Sequence, residues 1–305
     1  MHQLAAIQKS LRLIEEHLDQ PLRMEDLARR VGLSFWHFQR MFTAMVGESA
    51  GSYLRRRRLA GAAEQLRTTE RPLLDLALDC QFESHEAFTR AFKAEFGLTP
   101  SLYRAGRDHG VGSLQPAVLT ASSLRLRYQH MKLTPEIVTL PSRTFAGLQA
   151  PFIVPSSPET NNLKVIPKLW DDFFDRIGEL QPVEPGVGYG LSDCPESLGL
   201  RASQPDEAVY LAGTAVADGT KPPAGMVIWL SSGGLYAKFT HVGRIEKIGE
   251  TMGFIYGRWL ATGDYQRAAG PDIERYDHRF NPTSDESLLE IYLPVVRVRP
   301  GSGPG

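Results

Sequence analysis

Arg40 and Arg90 stand at the same place in two similar stretches of this sequence, each on the polar side of an amphipathic run. An arginine fork bonds guanine O6 and N7 in the major groove, and glutamine does the same for adenine. Beside Arg40 the same helical face carries Trp36, Gln39 and Thr43; beside Arg90 it carries His85, Glu86, Thr89 and Lys93. The chemistry on offer is hydrogen bonding to base edges and phosphates. Trp36 can pack against sugar or a thymine methyl. Glu86 repels phosphate unless it accepts from a cytosine amine.

These side chains need helices to position them, and the sequence writes the helices twice. Leu27 and Ala28 match Leu76 and Ala77 at an offset of 49; one inserted residue near Glu83 makes the offset 50 for Ser34/Ser84, Phe38/Phe88, Arg40/Arg90, Phe42/Phe92, Gly47/Gly97 and Tyr53/Tyr103. A duplicated helix-turn-helix is the simplest source of that pattern. In the first copy MEDLARRV is a short helix, Gly32 fits the turn, and Ser34 caps the next helix. Phe38, Met41, Phe42, Met45 and Val46 then form an inward stripe, leaving Trp36, Gln39, Arg40 and Thr43 facing out. The second copy buries Phe88, Ala91, Phe92 and Phe96 in the same way. Two plain helical hairpins with solvated faces are the alternative. Between the copies, SYLRRRRLAGAAEQLR (52–67) is a long helix with Leu54, Leu59, Ala62, Ala63 and Leu66 on its buried side. Its arginines, Arg55 first among them, suit phosphates, or else form a solvated face. Such a rigid helix would set two recognition helices in successive major grooves about 34 Å apart, so that one chain reads a two-part site as a monomer.

Bulk properties are compatible with this. Residues 1–106 hold 15 Lys and Arg against 13 Asp and Glu, the rest 19 against 22. No apolar run is long enough to span a membrane. The first residues lack a signal peptide's apolar block. Two cysteines, Cys80 and Cys194, are too few for a disulfide framework or structural zinc. The expectation is a cytoplasmic protein without metal or other cofactor. Residues 107–130, rich in Gly, Pro and Ser at their start, read as a linker, and 298–305 as a disordered tail. Over 131–297 short β-branched runs (EIVTL, RTFAGLQ, AVYLAGTAV, GLYAKFTHV, DIERYDH, LLEIYLPVV) alternate with two helical patterns, 162–180 and 244–263, giving an α+β domain after an all-α one.

The stretches HLDQPLRMEDLARRVGLSFWHFQRMF, RRRRLAGAAEQLR and FTRAFKAEFGLTPSLYR resemble the AraC/XylS family of transcription regulators over nearly all of 1–106. That likeness implies promoter DNA and RNA polymerase as partners and a role in transcription activation. The family's base-reading positions fall on Trp36, Gln39 and Arg40. Phe35 replaces a basic residue common in relatives, and His85 and Glu86 replace paired glutamines, so the resemblance carries base reading more firmly to the first helix.

In the second domain, period-two alternation puts Asp272, Glu274 and Tyr276 on one strand face and Glu290 with Tyr292 on one face of the last strand. An acid among aromatics suits a lipophilic cation. Trp170, Tyr189, Phe239, Tyr256 and Trp259 are candidate walls, each equally readable as core. PSRTFAGLQ, GPDIERYDHRF and LLEIYLPV resemble the GyrI-like effector domain, which implies two βαββ halves around one cavity and a small-molecule effector, with Glu274 as its acid. A surface Glu274 paired with Arg275 or Arg279 is the alternative. Some GyrI-like domains are hydrolases, which leaves an enzyme as a rival reading. No nucleophile elbow, metal motif or phosphate loop is present, and His241 and His278 are isolated, so no catalytic residue is assigned. A protein-interaction module is the third reading.

Overall fold

The computed structural model describes residues 2–106, 115–154, 157, 160–203 and 207–298, which form two compact units divided between Thr120 and Ala121. The first is helical: α1 (His2–Glu15), α2 (Met24–Arg30), α3 (Phe35–Val46), α4 (Ala50–Thr68), α5 (Leu73–Asp79), α6 (His85–Phe96) and α7 (Pro100–Ala105). The duplication in the sequence is a duplication of contacts. Phe38 and Phe42 lie 5.5 Å apart at 55°, and Phe88 and Phe92 lie 5.7 Å apart at 52°. Tyr53 meets Phe42 edge-on at 5.8 Å, as Tyr103 meets Phe92 at 5.3 Å. Ser34 and Ser84 cap α3 and α6 through the amides of His37 and Ala87, and Ser49 and Thr99 cap α4 and α7. All four rings of the two Phe pairs are fully buried, each contributing about 1.5–3 kcal/mol.

Helix α4 serves both copies. Tyr53 and Leu54 are buried near its start, while Leu59, Ala62, Ala63 and Leu66 join Phe88, Phe92 and Tyr103 in the core of the second copy. The copies part at one turn residue. Gly32 has a left-handed backbone at φ +74, and its counterpart at the offset of 49 is Gln81 at φ 61. A side chain there is strained, and the Gln81 amide compensates by donating to the Asp19 carbonyl at 3.1 Å.

The second unit begins with a helix where a linker was expected: α8 (Ala121–Arg127) buries Leu124. The Arg258 guanidinium donates to the Tyr128 carbonyl just past its end, and the Tyr128 ring meets Phe254 edge-on at 6.4 Å. Local composition hid this helix, because its stability comes from that distant contact. Residues 107–114 of the expected linker and 299–305 of the expected tail lie outside the described residues.

The sheet comprises β1 (Glu136–Leu140), β2 (Arg143–Ile153), β3 (Gly188–Asp193), β4 (Glu207–Val216), β5 (Val227–Ser231), β6 (Gly234–Val242), β7 (Tyr265–Arg267), β8 (Asp272–Tyr276) and β9 (Leu288–Arg297). Its order is β1-β6-β9-β8-β3-β4-β2-β5, antiparallel throughout, with β7 added to β9. That order is two equivalent halves back to back. The first is β2, helix α9 (Asn162–Phe174), β3 and β4; the second is β6, a helical stretch, β8 and β9. Each half takes its edge strand from the other half's sequence neighbourhood, β5 on β2 and β1 on β6. The six strand segments read from sequence form. Three further strands join them: β3, which opens with two spaced glycines that depress strand propensity, the three-residue β7, and β5. The second helical pattern is broken into α10 (Ile248–Phe254), a π-helical turn (Ile255–Trp259) and α11 (Leu260–Thr262).

Candidate functional site

The polar face of α3 differs from its expectation. Trp36 is 6% exposed and Gln39 7%, so neither stands out into solvent as the periodicity implied. The Arg40 guanidinium lies 4.9 Å from the Trp36 ring centroid, a cation–π contact that holds the charge over the indole. The hydroxyls of Thr43 and Thr89 are buried and without a hydrogen-bond partner among the described residues, so these two threonines turn their polar atoms inward. On α6 the expected exposure holds for Arg90 and Lys93, with His85 half-buried. Glu86 is exposed there too, and its hydrogen bonds to its own backbone amide and to Ser84 lower its pKa, fixing a negative charge on that face.

The arginine run on α4 divides. Arg56 bonds Glu48 at 2.6 Å, Arg57 bonds Glu15 at 2.8 Å, and Arg58 donates to the carbonyls of Leu18 and Gln20 at 2.7 and 2.5 Å. Arg55 is the exposed member.

In the sheet unit, α9 and the α10–α11 stretch cover the same sheet face, each over its own half. Glu274 lies on that face in β8, at the seam between the halves, directly opposite Gly190 of β3. The hydroxyls of Tyr210 and Tyr276 both donate to Glu274 Oε2 at 2.7 Å. Trp170 Nε1 donates to the Tyr210 hydroxyl at 3.3 Å, and its ring meets Tyr276 at 5.0 Å and Phe174 at 5.3 Å. Phe152 and Phe280 pack on the outer sides of Tyr210 and Tyr276. Burial, then the Glu274 charge, push both tyrosines well above their usual pKa, so they remain proton donors. Arg275 and Arg279 bond Asp277 and Glu290.

This arrangement brings together three of the nine expected effector residues: Glu274, Tyr276 and Trp170. Tyr189, Glu290 and Tyr292, expected beside Glu274, instead lie on the opposite sheet face. Tyr189 is in the core with Phe145, Trp229 and Ile273 and donates to Glu184; Tyr292 packs against that core and donates to Glu290. The reason is register: Arg275 pairs with Glu290 and with Tyr189, one residue out of step with Glu274. Phe239, Tyr256 and Trp259 share the helix-covered face but belong to the second half. Tyr256 donates to Asp272 at 2.6 Å, Asp272 holds Arg267 at 2.6 Å, and Trp259 packs between Phe239 and Tyr265. Sequence reasoning missed Tyr210, whose strand AVYLAGTAV is apolar at nearly every position and so signals no face. His241 bonds Thr251 and the Arg244 carbonyl, a structural role. Among the described residues no group of side chains suits a metal, and no helix is long and apolar enough to cross a membrane.

Tandem helix-turn-helix motifs joined to a two-halved sheet with an acid among aromatics at its seam define a DNA-binding regulator with a small-molecule domain. Comparison with known proteins agrees: residues 27–106 match a helix-turn-helix domain and residues 133–296 the GyrI-like small molecule binding domain. Transcriptional regulator Rob of Salmonella typhimurium is 33% identical over 308 residues, covering 97% of this chain and 100% of that protein. The right origin-binding protein of Escherichia coli K12 is 33% identical over 312 residues with the same coverage, 97% and 100%. Regulatory protein SoxS of Salmonella typhimurium is 47% identical over 98 residues, 32% of this chain and 92% of that one. The chain belongs to the Rob family of AraC-type transcription regulators, in which the helix-turn-helix region is followed by a GyrI-like domain.

Proposed function

We propose that this regulator is a cytoplasmic transcription activator whose GyrI-like domain senses a lipophilic cation without turning it over. In this reading Arg40, aided by Trp36 and Gln39, reads promoter bases; Arg90, Lys93, His85 and Arg55 anchor the backbone; Thr43 and Thr89 contribute through their methyl groups. Contact with RNA polymerase follows from the activator role, and tandem motifs in one chain let a monomer occupy a two-part site. The observation carrying the ligand reading is the Glu274 carboxylate set among Trp170, Tyr210 and Tyr276. Taking a carboxylate out of water is costly unless a charge or donors compensate, and aromatic faces attract cations. Hydroxyl donors on a carboxylate oxygen favour its charged form without cancelling the charge.

The test is Glu274→Gln in the full chain, titrated with tetraphenylphosphonium and with neutral triphenylphosphine oxide. Removing the charge should weaken the cation about tenfold, roughly 1.4 kcal/mol, and the neutral compound far less. Equal losses for both would remove Glu274 from this role.

A further inference from the structure

Strand β3 crosses the centre of the helix-covered face with Gly188 and Gly190 where side chains would point at the acid. The sheet order is symmetric about the β3–β8 pair, so Gly190 and Glu274, paired in register, are equivalent positions of the two halves. One half presents an acid there and the other presents nothing. That gap is filled from β4. A Cβ on Gly190 would lie 1.9 Å from the Tyr210 hydroxyl, 2.6 Å from its ring carbon Cζ and 2.9 Å from Glu274 Oε2. A Cβ on Gly188 would meet the edge of the Trp170 ring at 3.0 Å, a milder approach. Tyr210 has no room to yield: it is 2% exposed, with Phe152 against its ring, and its hydroxyl accepts from Trp170.

We propose that Gly190 is a positioning residue of the ligand site, resting on the reading of that site as a cation receptor. It acts through Tyr210: the missing side chain lets the tyrosine lie across β3 and place its hydroxyl on the carboxylate, which orients Glu274 toward a bound cation. The same asymmetry gives one acid, and hence one cation, per chain, although the fold is doubled.

The experiment measures binding of tetraphenylphosphonium and triphenylphosphine oxide by calorimetry to four full-length proteins: the parent, Gly190→Ala, Tyr210→Leu, and the double variant. The parent should bind one cation per chain. Gly190→Ala should weaken the cation about tenfold or more and cut its preference over the neutral compound, whereas adding Gly190→Ala to Tyr210→Leu should cost clearly less than in the parent, since leucine removes the two contacts with the tyrosine and leaves only the 2.9 Å approach to the end of the Glu274 side chain, so that the two positions couple. Should Gly190→Ala not fold, the comparison of Tyr210→Leu with the double variant still decides. A loss from Gly190→Ala that is the same in the parent and in the Tyr210→Leu background overturns the proposal, as does an unchanged preference for the cation. A parent that binds both compounds alike overturns the cation reading itself and this proposal with it.

Discussion

In the first helix-turn-helix copy Trp36 and Gln39 are 6% and 7% exposed and the Arg40 guanidinium rests over the indole, whereas in the second Glu86, Arg90 and Lys93 stand open to solvent. Inside, the copies are nearly superimposable in their ring pairs and caps. A core residue touches many others at once and tolerates little change of volume, so the interior keeps the form of the duplication. The faces turned away from those two cores share no such common constraint and diverge. The divergence has a physical consequence for recognition. In the proposed reading Arg40, held over an aromatic ring, would lose less freedom on meeting a base, while Arg90, one turn from the ionised Glu86, would suit a phosphate better than a base.

This contrast can be broken by paired substitutions. Arg40→Ala should cost about 1–3 kcal/mol of specific DNA binding and relax sequence preference, whereas Arg90→Ala should weaken specific and random DNA alike. Mobility-shift titrations on operator and scrambled duplexes separate the two, and equal behaviour of the arginines would abolish the distinction. The turns offer a stability version of the same comparison. Gly32→Ala should destabilise by about 1 kcal/mol, and Gln81→Gly should leave stability unchanged or raise it by roughly 0.5 kcal/mol after losing the Asp19 contact. Denaturant melts of the full chain read both, and a loss on placing glycine at 81 would show that the amide contact outweighs the strain. The smallest effect falls on Arg55. Arg55→Ala should lower the slope of log affinity against log salt by about one with sequence preference intact. An unchanged slope would return Arg55 to the solvated surface.

The helical unit was legible in detail because its signals are local. Ser34 and Ser84 before amphipathic stripes, and Phe and Tyr at a constant offset of 50, fix helices and the faces they bury. The sheet unit was legible as strands and less so as a site. GLYAKFTHV and LLEIYLPVV announce themselves by alternation, but the glycines that make room at β3 also erase its strand signal. The burial of Trp36 escaped for a related reason: helical period says which side of α3 a residue is on, not how deeply its ring is covered.

Sequence alone thus settled the duplicated helix-turn-helix, the two-domain order, and the grouping of Asp272, Glu274 and Tyr276 on one strand face, since each follows from repeats of two or 3.6 residues along the chain. Only the tertiary structure decided that Tyr210 from β4 and Trp170 from α9 join Glu274, and that Tyr189, Glu290 and Tyr292 do not. A period of two fixes faces within a strand, whereas matching faces between strands depends on non-local register, and a shift of one residue exchanges every side chain.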